Sequence, residues 1–404
     1  MQTENSRFKS FIQFINEGGN ARVIDRKTGK VIARAEKMDL KKFNRHELVT
    51  DIVDALSALN DLFEKEYGRK IWKNFNVVRS GQAFSGSTEF FINLDIPDEE
   101  FVQHKPSVGD IDVIIPKEIS EKFEEFMPTI EGKKLTPNVT YMGQDRTDFG
   151  TTWLAVFKYK NGKNEVNFQI DFEYGDWDDK KEEPSGWAKF SHNSDWEDIK
   201  KGIKGVHHKF LLINLARALS KKDDIVIATP SSTPDKIKLV GGKKAEQTPR
   251  LLAFSVDKGL RIKYKQMEDK DGKPIEHDGK LVFQEIPTAT SNYIKNVDEI
   301  YSYIFGEEAK PEDLKKMKSF LGLADLIKNK VSKTNIEDLF DFVLNENLFG
   351  KRAQILEKNN PTLDRKVKQA MVDKLFEIFP YLAKRKEEVE KMADEYYKNF
   401  KMEE

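Results

Sequence analysis

The sequence contains no cysteine, which removes disulfides, thiolate zinc sites, iron–sulfur ligation and cysteine nucleophiles at one stroke. It also lacks net charge: 68 Lys and Arg against 69 Asp and Glu leave −1. No global field draws in nucleic acid or an anionic membrane, so a polyanion would have to be met by a local patch. No stretch approaches the ~20 apolar residues of a membrane span, and the opening MQTENSRFKSFIQFINEGG has no apolar core or small-residue cleavage site. The expectation is a soluble cytoplasmic protein with no membrane partner. Internal repeats and low-complexity tracts are missing too. What is present is ordinary for a folded chain, with 38% hydrophobic and 11% aromatic residues. At 404 residues the chain exceeds what one hydrophobic core organises, and two or three packed modules are expected.

Residues 21–38 read as two short strands around the turn signal Lys27-Thr28-Gly29-Lys30. Asn44 followed by Glu47 has capping-box spacing, and Ile52, Leu56, Leu59 and Phe63 then share one helical face. All five tryptophans lie between Trp72 and Trp196, in the stretch richest in strand-like segments. There Asp112 to Pro116 ends a buried strand, and Trp153–Tyr159 and Val166–Tyr174 form a hairpin around Asn161-Gly162. Ser194, with Glu197 three positions on, is expected to cap one helix reaching about Leu219, with Gly202 and Gly205 allowing close backbone approach. From Asp224 to about Pro287, glycines and prolines punctuate short strand-like runs at Leu251–Val256, Leu260–Lys265 and Lys280–Ile286. Beyond them the chain turns helical, with Pro311 near a helix start. Val367, Met371, Leu375, Ile378 and Leu382 trace one face of a long final helix. The charge run Lys384 to Glu390 fits a solvated helix face.

The chemistry-bearing stretch is Phe84-Ser85-Gly86-Ser87-Thr88 followed by Val108-Gly109-Asp110-Ile111-Asp112-Val113-Ile114-Ile115. Alternation along a strand points Asp110 and Asp112 the same way and sends Ile111, Val113 and Ile115 to the core. Hard divalent ions want oxygen ligands, and two ions roughly 3.5–4 Å apart can be bridged by carboxylates so placed. Asp171, between Ile170 and Phe172 on the second hairpin strand, is the third acid, about 5 Å away if that strand is a neighbour. It would ligate the ion that acidifies an attacking hydroxyl, or accept its proton. Glu173, two residues on, is its rival. Gly86 allows backbone to approach a triphosphate, and the Ser87 hydroxyl can donate to a phosphate oxygen.

The order Gly-Ser, then Asp-x-Asp on a hydrophobic strand, then one Asp between apolar residues resembles the polymerase-β-like nucleotidyltransferase superfamily, which includes poly(A) polymerases and tRNA CCA-adding enzymes. The resemblance covers roughly residues 75–175. It implies that Asp110 and Asp112 bind two magnesium or manganese ions and that Asp171 binds the catalytic one. Gly86 and Ser87 would hold the phosphates of a nucleoside triphosphate, expected to be ATP. The sequence departs from the pattern in two ways. The connection from Ser87 to Asp110 is long, with 93–107 reading as an inserted loop, and the basic residue often found soon after Gly-Ser is replaced by Glu89.

Two further features allow two readings each. Lys209, beside His207 and His208, could reach the β- and γ-phosphates or lie on a solvated helix face. The adjacent histidines, and His46, His104, His192 and His277, lack zinc-ligand spacing. Leu260-Arg261-Ile262-Lys263-Tyr264-Lys265 alternates apolar with basic residues, so one strand face could track a phosphate backbone or be the outer face of any half-buried strand. The expected architecture is α+β: an N-terminal segment with a hairpin (1–43), a nucleotidyltransferase core of small mixed sheet with helices (44–223), a β-rich module (224–289) and a helical C-terminal domain (290–404) closing a cleft over the nucleotide. The expected activity is transfer of a nucleoside monophosphate to a hydroxyl, with an RNA 3′ end as acceptor. The alternatives are a second-messenger synthase, a protein- or small-molecule-nucleotidylating enzyme of the same fold, or an inactive nucleic-acid or partner-binding module.

Overall fold

A computed structural model describes residues 21–25, 28–145, 152–191, 193–203, 205–229, 232–233, 236–239, 249–255, 258–350 and 365–401. His192 lies outside the described residues. The chain is α+β and forms two compact units, Met1–Gly205 and Val206–Glu404.

In the first unit, β1 (Arg22–Ile24) and β2 (Val31–Arg34) pair antiparallel, as the turn signal implied. The short β3 (Met38–Asp39) pairs with β4 (Ser107–Val108). Helix α1 (Arg45–Tyr67) starts where Asn44 accepts from the Glu47 amide and stops at Gly68 in a left-handed conformation. Short helices α2 (Asn76–Arg79), α3 (Thr88–Ile92) and α4 (Asp98–His104) follow. The central sheet runs β5-β8-β7-β6, made of β5 (Asp110–Pro116), β6 (Val139–Gln144), β7 (Thr152–Asn161) and β8 (Asn164–Gly175). β5 is parallel to β8 and the other two pairings are antiparallel, so the sheet is mixed, as expected.

One face of that sheet is the core. Ile111, Val113 and Ile115 of β5, Phe168, Ile170 and Phe172 of β8, and Ala155 and Phe157 of β7 are buried there with Leu56, Leu59 and Phe63 of α1 and with Phe123 of α5 (Ser120–Phe126). This is the period-2 pattern meeting the period-3.6 stripe that the sequence showed. The opposite face carries the acids, and the β1–β2 hairpin covers part of it, packing Ala21, Val23, Ala33 and Ala35 against Val156. At Gly143, with φ +140°, the hairpin packs close: a Cβ there would lie 2.7 Å from Val23 Cγ1.

The 93–107 segment is not an open loop. It contains α4, and Arg45 anchors its approach. The guanidinium donates to the carbonyls of Phe90, Phe91, Asn93 and Ile96 and pairs with Asp98 at 2.9 Å. It also lies 4.3 Å over the Phe101 ring, which stacks on Trp196. Arg45 is 1% exposed, so its donors must be satisfied by protein, and they are.

After the β9 (Trp177–Asp178) and β10 (Glu183–Pro184) pair and α6 (Gly186–Ser191), the expected helix from Ser194 to Leu219 is two helices. Asp195, not Ser194, caps α7 (Trp196–Lys200), accepting from the Glu197 and Asp198 amides. Gly202 then takes φ +72° and ends it, with nothing near its missing side chain. At Gly205 the expected close approach is found: a Cβ would meet Asn193 O at 3.1 Å and Ser194 Oγ at 2.9 Å.

The second unit begins within α8 (Gly205–Leu219). Its strands are β11 (Ile225–Ala228), β12 (Leu252–Ser255), β13 (Gly259–Ile262), β14 (Tyr264–Gln266), β15 (Glu276–His277), β16 (Lys280–Glu285) and β17 (Tyr293–Ile294). They form two small sheets, β11-β16-β14 with β15 on β16, and β12-β13-β17. Helices α9 (Val297–Phe305), α10 (Pro311–Lys316), α11 (Phe320–Lys330), α12 (Lys333–Phe342), α13 (Arg365–Ile378) and α14 (Lys386–Lys401) follow, with Pro311 at the first position of α10. The long final helix is broken. Pro380 opens a 3₁₀ segment through Arg385, because its ring cannot continue the α ladder. Met371, Leu375 and Leu382 are still buried. The charge run is largely exposed, as expected, with Arg385 half-buried and paired with Asp341 and Glu388.

Candidate metal centre and phosphate site

The parallel register of β5 on β8 sets Asp110 opposite Gln169, Asp112 opposite Asp171 and Ile114 opposite Glu173. Residues in register on neighbouring strands share a face, so the three aspartates converge on the side away from the core. Each offers a carboxylate oxygen, and these three oxygens lie within 4.8 Å of one another. Oxygens bound to one magnesium ion at 2.0–2.1 Å can be at most about 4.2 Å apart. Neighbouring positions of the same octahedron are about 3 Å apart, so modest side-chain rotations would bring the set to bonding distance. The donors are all hard oxygens, the set that suits magnesium or manganese, and among the described residues no imidazole joins the group.

Asp171 is 2% exposed and is held by Gln169, whose Nε2 donates to Asp171 Oδ1 at 2.7 Å. The Gln169 carbonyl in turn accepts from the Ala21 backbone amide at 3.0 Å. The N-terminal hairpin thus reaches the acid cluster through one amide side chain. Glu173 has a different partner: Ser85 Oγ donates to its Oε2 at 2.7 Å. Of the two candidates for the third acid, Asp171 joins Asp110 and Asp112, while Glu173 is tied to Ser85.

Burial raises the Asp110 carboxyl most strongly, and the Glu173 charge adds to that. Lys105, the Asp110 backbone amide and Lys37 oppose it, leaving the group pushed up to about 6. Crowded, partly desolvated carboxylates are what a bound divalent cation relieves.

The Gly-Ser segment is fixed to the same strand. Phe84 bridges Val113 antiparallel, the Ile114 amide donates to Ala83 O, and the Ser85 amide donates to Asp112 O. The buried Thr88 hydroxyl accepts from the Asp112 amide at 3.1 Å. Gly86 takes φ +59°, a left-handed conformation that a glycine adopts without strain, so the chain turns there, between Ser85 and Thr88, which both bond to Asp112. Glu89, in the place of the expected basic residue, is neutralised by Lys189 at 2.7 Å, which also donates to Phe84 O. A cation reaches Ser87 from the 93–107 segment: Lys105 Nζ donates to Ser87 Oγ at 2.5 Å.

Lys209 belongs to the second unit and is only 6% exposed on α8, so it is not on a solvated face. His208 beside it donates from Nε2 to Met317 O at 2.7 Å as the neutral ring. The basic strand is also corrected. Lys263 separates β13 from β14, which belong to different sheets. Arg261 is buried, donating to Thr288 Oγ1 and Ile286 O, so the three positive charges do not share one exposed face.

No family model matches the chain, and neither a curated protein nor a solved structure does so.

Sequence reasoning missed Gln169, Ser85, Thr88 and Lys105. Gln169 was detectable, since it precedes Asp171 by two positions on the same strand face. Lys105 carried no local signal, because only the fold of 93–107 returns it to Ser87. Among the described residues no helix is long and apolar enough to cross a membrane.

Proposed function

We propose that the protein is a metal-dependent nucleotidyltransferase with a polymerase-β-like core. It moves a nucleoside monophosphate from a nucleoside triphosphate to a hydroxyl and releases pyrophosphate. The observation that carries this reading is the convergence of the Asp110, Asp112 and Asp171 carboxylates on one sheet face, with the residues on both sides of the Gly86-Ser87 turn, Ser85 and Thr88, bonded to Asp112 of the same strand. Magnesium or manganese ions held by these three residues would neutralise the phosphates and acidify the acceptor hydroxyl. Asp171, which Gln169 holds through Oδ1, would take the proton of that hydroxyl. The acceptor oxygen then bonds to the α-phosphorus as the bond to the leaving pyrophosphate breaks. Ser87 donates to a phosphate oxygen, and Ser85 keeps Glu173 aligned behind the cluster.

The acceptor is proposed only as a hydroxyl. The alternating basic strand that favoured an RNA 3′ end loses its argument once Arg261 is turned inward. The deciding experiment incubates wild type and the Asp110→Ala/Asp112→Ala double variant with each α-labelled NTP, magnesium or manganese, and either pooled RNA or no added acceptor. Label transferred to RNA, to protein or to a small product, and lost in the double variant, supports the reading and names the acceptor class. Equal, metal-independent behaviour of both proteins overturns it and leaves a binding module.

A further inference from the structure

Beside the Gly86-Ser87 turn the sequence offered no cation of its own, and Lys209, the lysine it did offer to the phosphates, is buried on α8 of the second unit. A triphosphate entering beside Asp110, Asp112, Asp171 and Glu173 brings a polyanion to a group of carboxylates. Bound divalent ions offset part of that charge, and point-charge lysines usually supply more. Glu89 makes the deficit worse at the customary position, and Lys189 is spent on neutralising it.

We infer that Lys105, delivered by the 93–107 segment, is the residue that grips the triphosphate beside Ser87. This rests on the nucleotidyltransferase reading above. Three observations carry it. Lys105 Nζ already donates to the hydroxyl assigned to a phosphate oxygen, so ammonium and hydroxyl converge on the same spot. An ammonium is a compact point charge on a flexible stem, the form in which a lysine meets phosphate oxygens. Its backbone is also held firmly. The Lys105 amide donates to Phe101 O at 2.7 Å, Leu40 N donates to Pro106 O at 3.0 Å, and β4 begins at Ser107 against β3. Upstream, Arg45 binds Asp98 and lies over Phe101. The segment that looks like an insertion is thus an arm that carries a cation to the nucleotide.

The test measures binding of the non-transferable α,β-methylene analogues of ATP, GTP, CTP and UTP to the full chain with magnesium. The tightest is carried forward, together with the corresponding nucleoside monophosphate. Lys105→Gln should weaken the triphosphate analogue by roughly 10- to 100-fold, the loss expected for one charge-assisted hydrogen bond. It should change monophosphate binding little, and Lys105→Arg should recover part of the loss. Manganese binding without nucleotide, followed by electron paramagnetic resonance, reports whether Lys105→Gln keeps the acid site folded. If wild type binds the triphosphate analogue and Lys105→Gln binds it equally well, Lys105 is not the grip and the inference is overturned. Tighter manganese binding in that variant with unchanged nucleotide affinity also overturns it, making Lys105 a counter-ion only. If wild type binds no triphosphate while binding manganese, the nucleotidyltransferase reading itself fails.

Discussion

Replacing Gln169 by Leu isolates the contact that orients the third acid. The side chain is 2% exposed and makes two bonds, donating to Asp171 Oδ1 at 2.7 Å and accepting from the Ala21 amide at 3.0 Å. Leucine fills a similar volume but does neither. Asp171 then loses the Gln169 donor at Oδ1, and the Ala21 backbone amide loses its acceptor. Loss of a group that orients a metal ligand typically costs 10–100-fold in metal affinity. Leaving a buried donor unsatisfied costs about 1–3 kcal/mol of stability. The two effects are read separately, by manganese titration under electron paramagnetic resonance and by urea unfolding without metal. The expected result is a 10–100-fold weaker manganese site in a chain about 1–3 kcal/mol less stable. Asp171→Asn serves as reference, because it removes the ligand charge while keeping the shape. If Gln169→Leu leaves manganese affinity unchanged while Asp171→Asn loses it, the orienting role is refuted. If neither variant differs from wild type, the three aspartates do not bind metal together.

The second unit should be acid-sensitive through His208. Burial holds this ring at about 4, below its ordinary 6.5, with Lys209 adding to the effect and the Met317 carbonyl opposing it. The unfolded chain therefore binds a proton that the folded one refuses. The stability is fully present above pH 6.5 and is lost as pH falls toward 4, by up to about 3 kcal/mol. Urea midpoints at pH 7.5, 5.5 and 4.5 should fall more steeply for wild type than for His208→Gln, and parallel pH slopes would rule the mechanism out. Gly259→Ala should be far more damaging than an ordinary surface change. At φ +103° the new Cβ would sit 2.2 Å from Ile294 O, forcing β13 and β17 apart. A loss of about 2–4 kcal/mol is expected; thermal melting within a degree of wild type would contradict that packing.

How far the sequence alone reaches is visible residue by residue. Asn44 with its cap, the apolar stripe of α1, the hairpin at Gly162 and the buried β5 were legible because each follows from local periodicity and capping chemistry. The same alternation put Asp110 and Asp112 on one face. Local rules failed where a break outweighed a pattern: Pro380 split the last helix, and Gly202 split the one expected to start at Ser194. They also failed where burial reversed a side chain's apparent role, as when Arg261 turned from a basic face to bond Ile286 O.

The sequence by itself determined the acids, their spacing and the strands that carry them, since a strand's alternation depends only on neighbours along the chain. Tertiary structure decided which acid completes the cluster, because the register of β5 against β8 is a pairing between segments far apart in sequence. It alone decided that Gln169 links the hairpin to Asp171, and that a lysine from an apparent insertion arrives at Ser87 where local sequence offers a glutamate. Those contacts depend on loop closure and packing, and no periodicity along the chain encodes them.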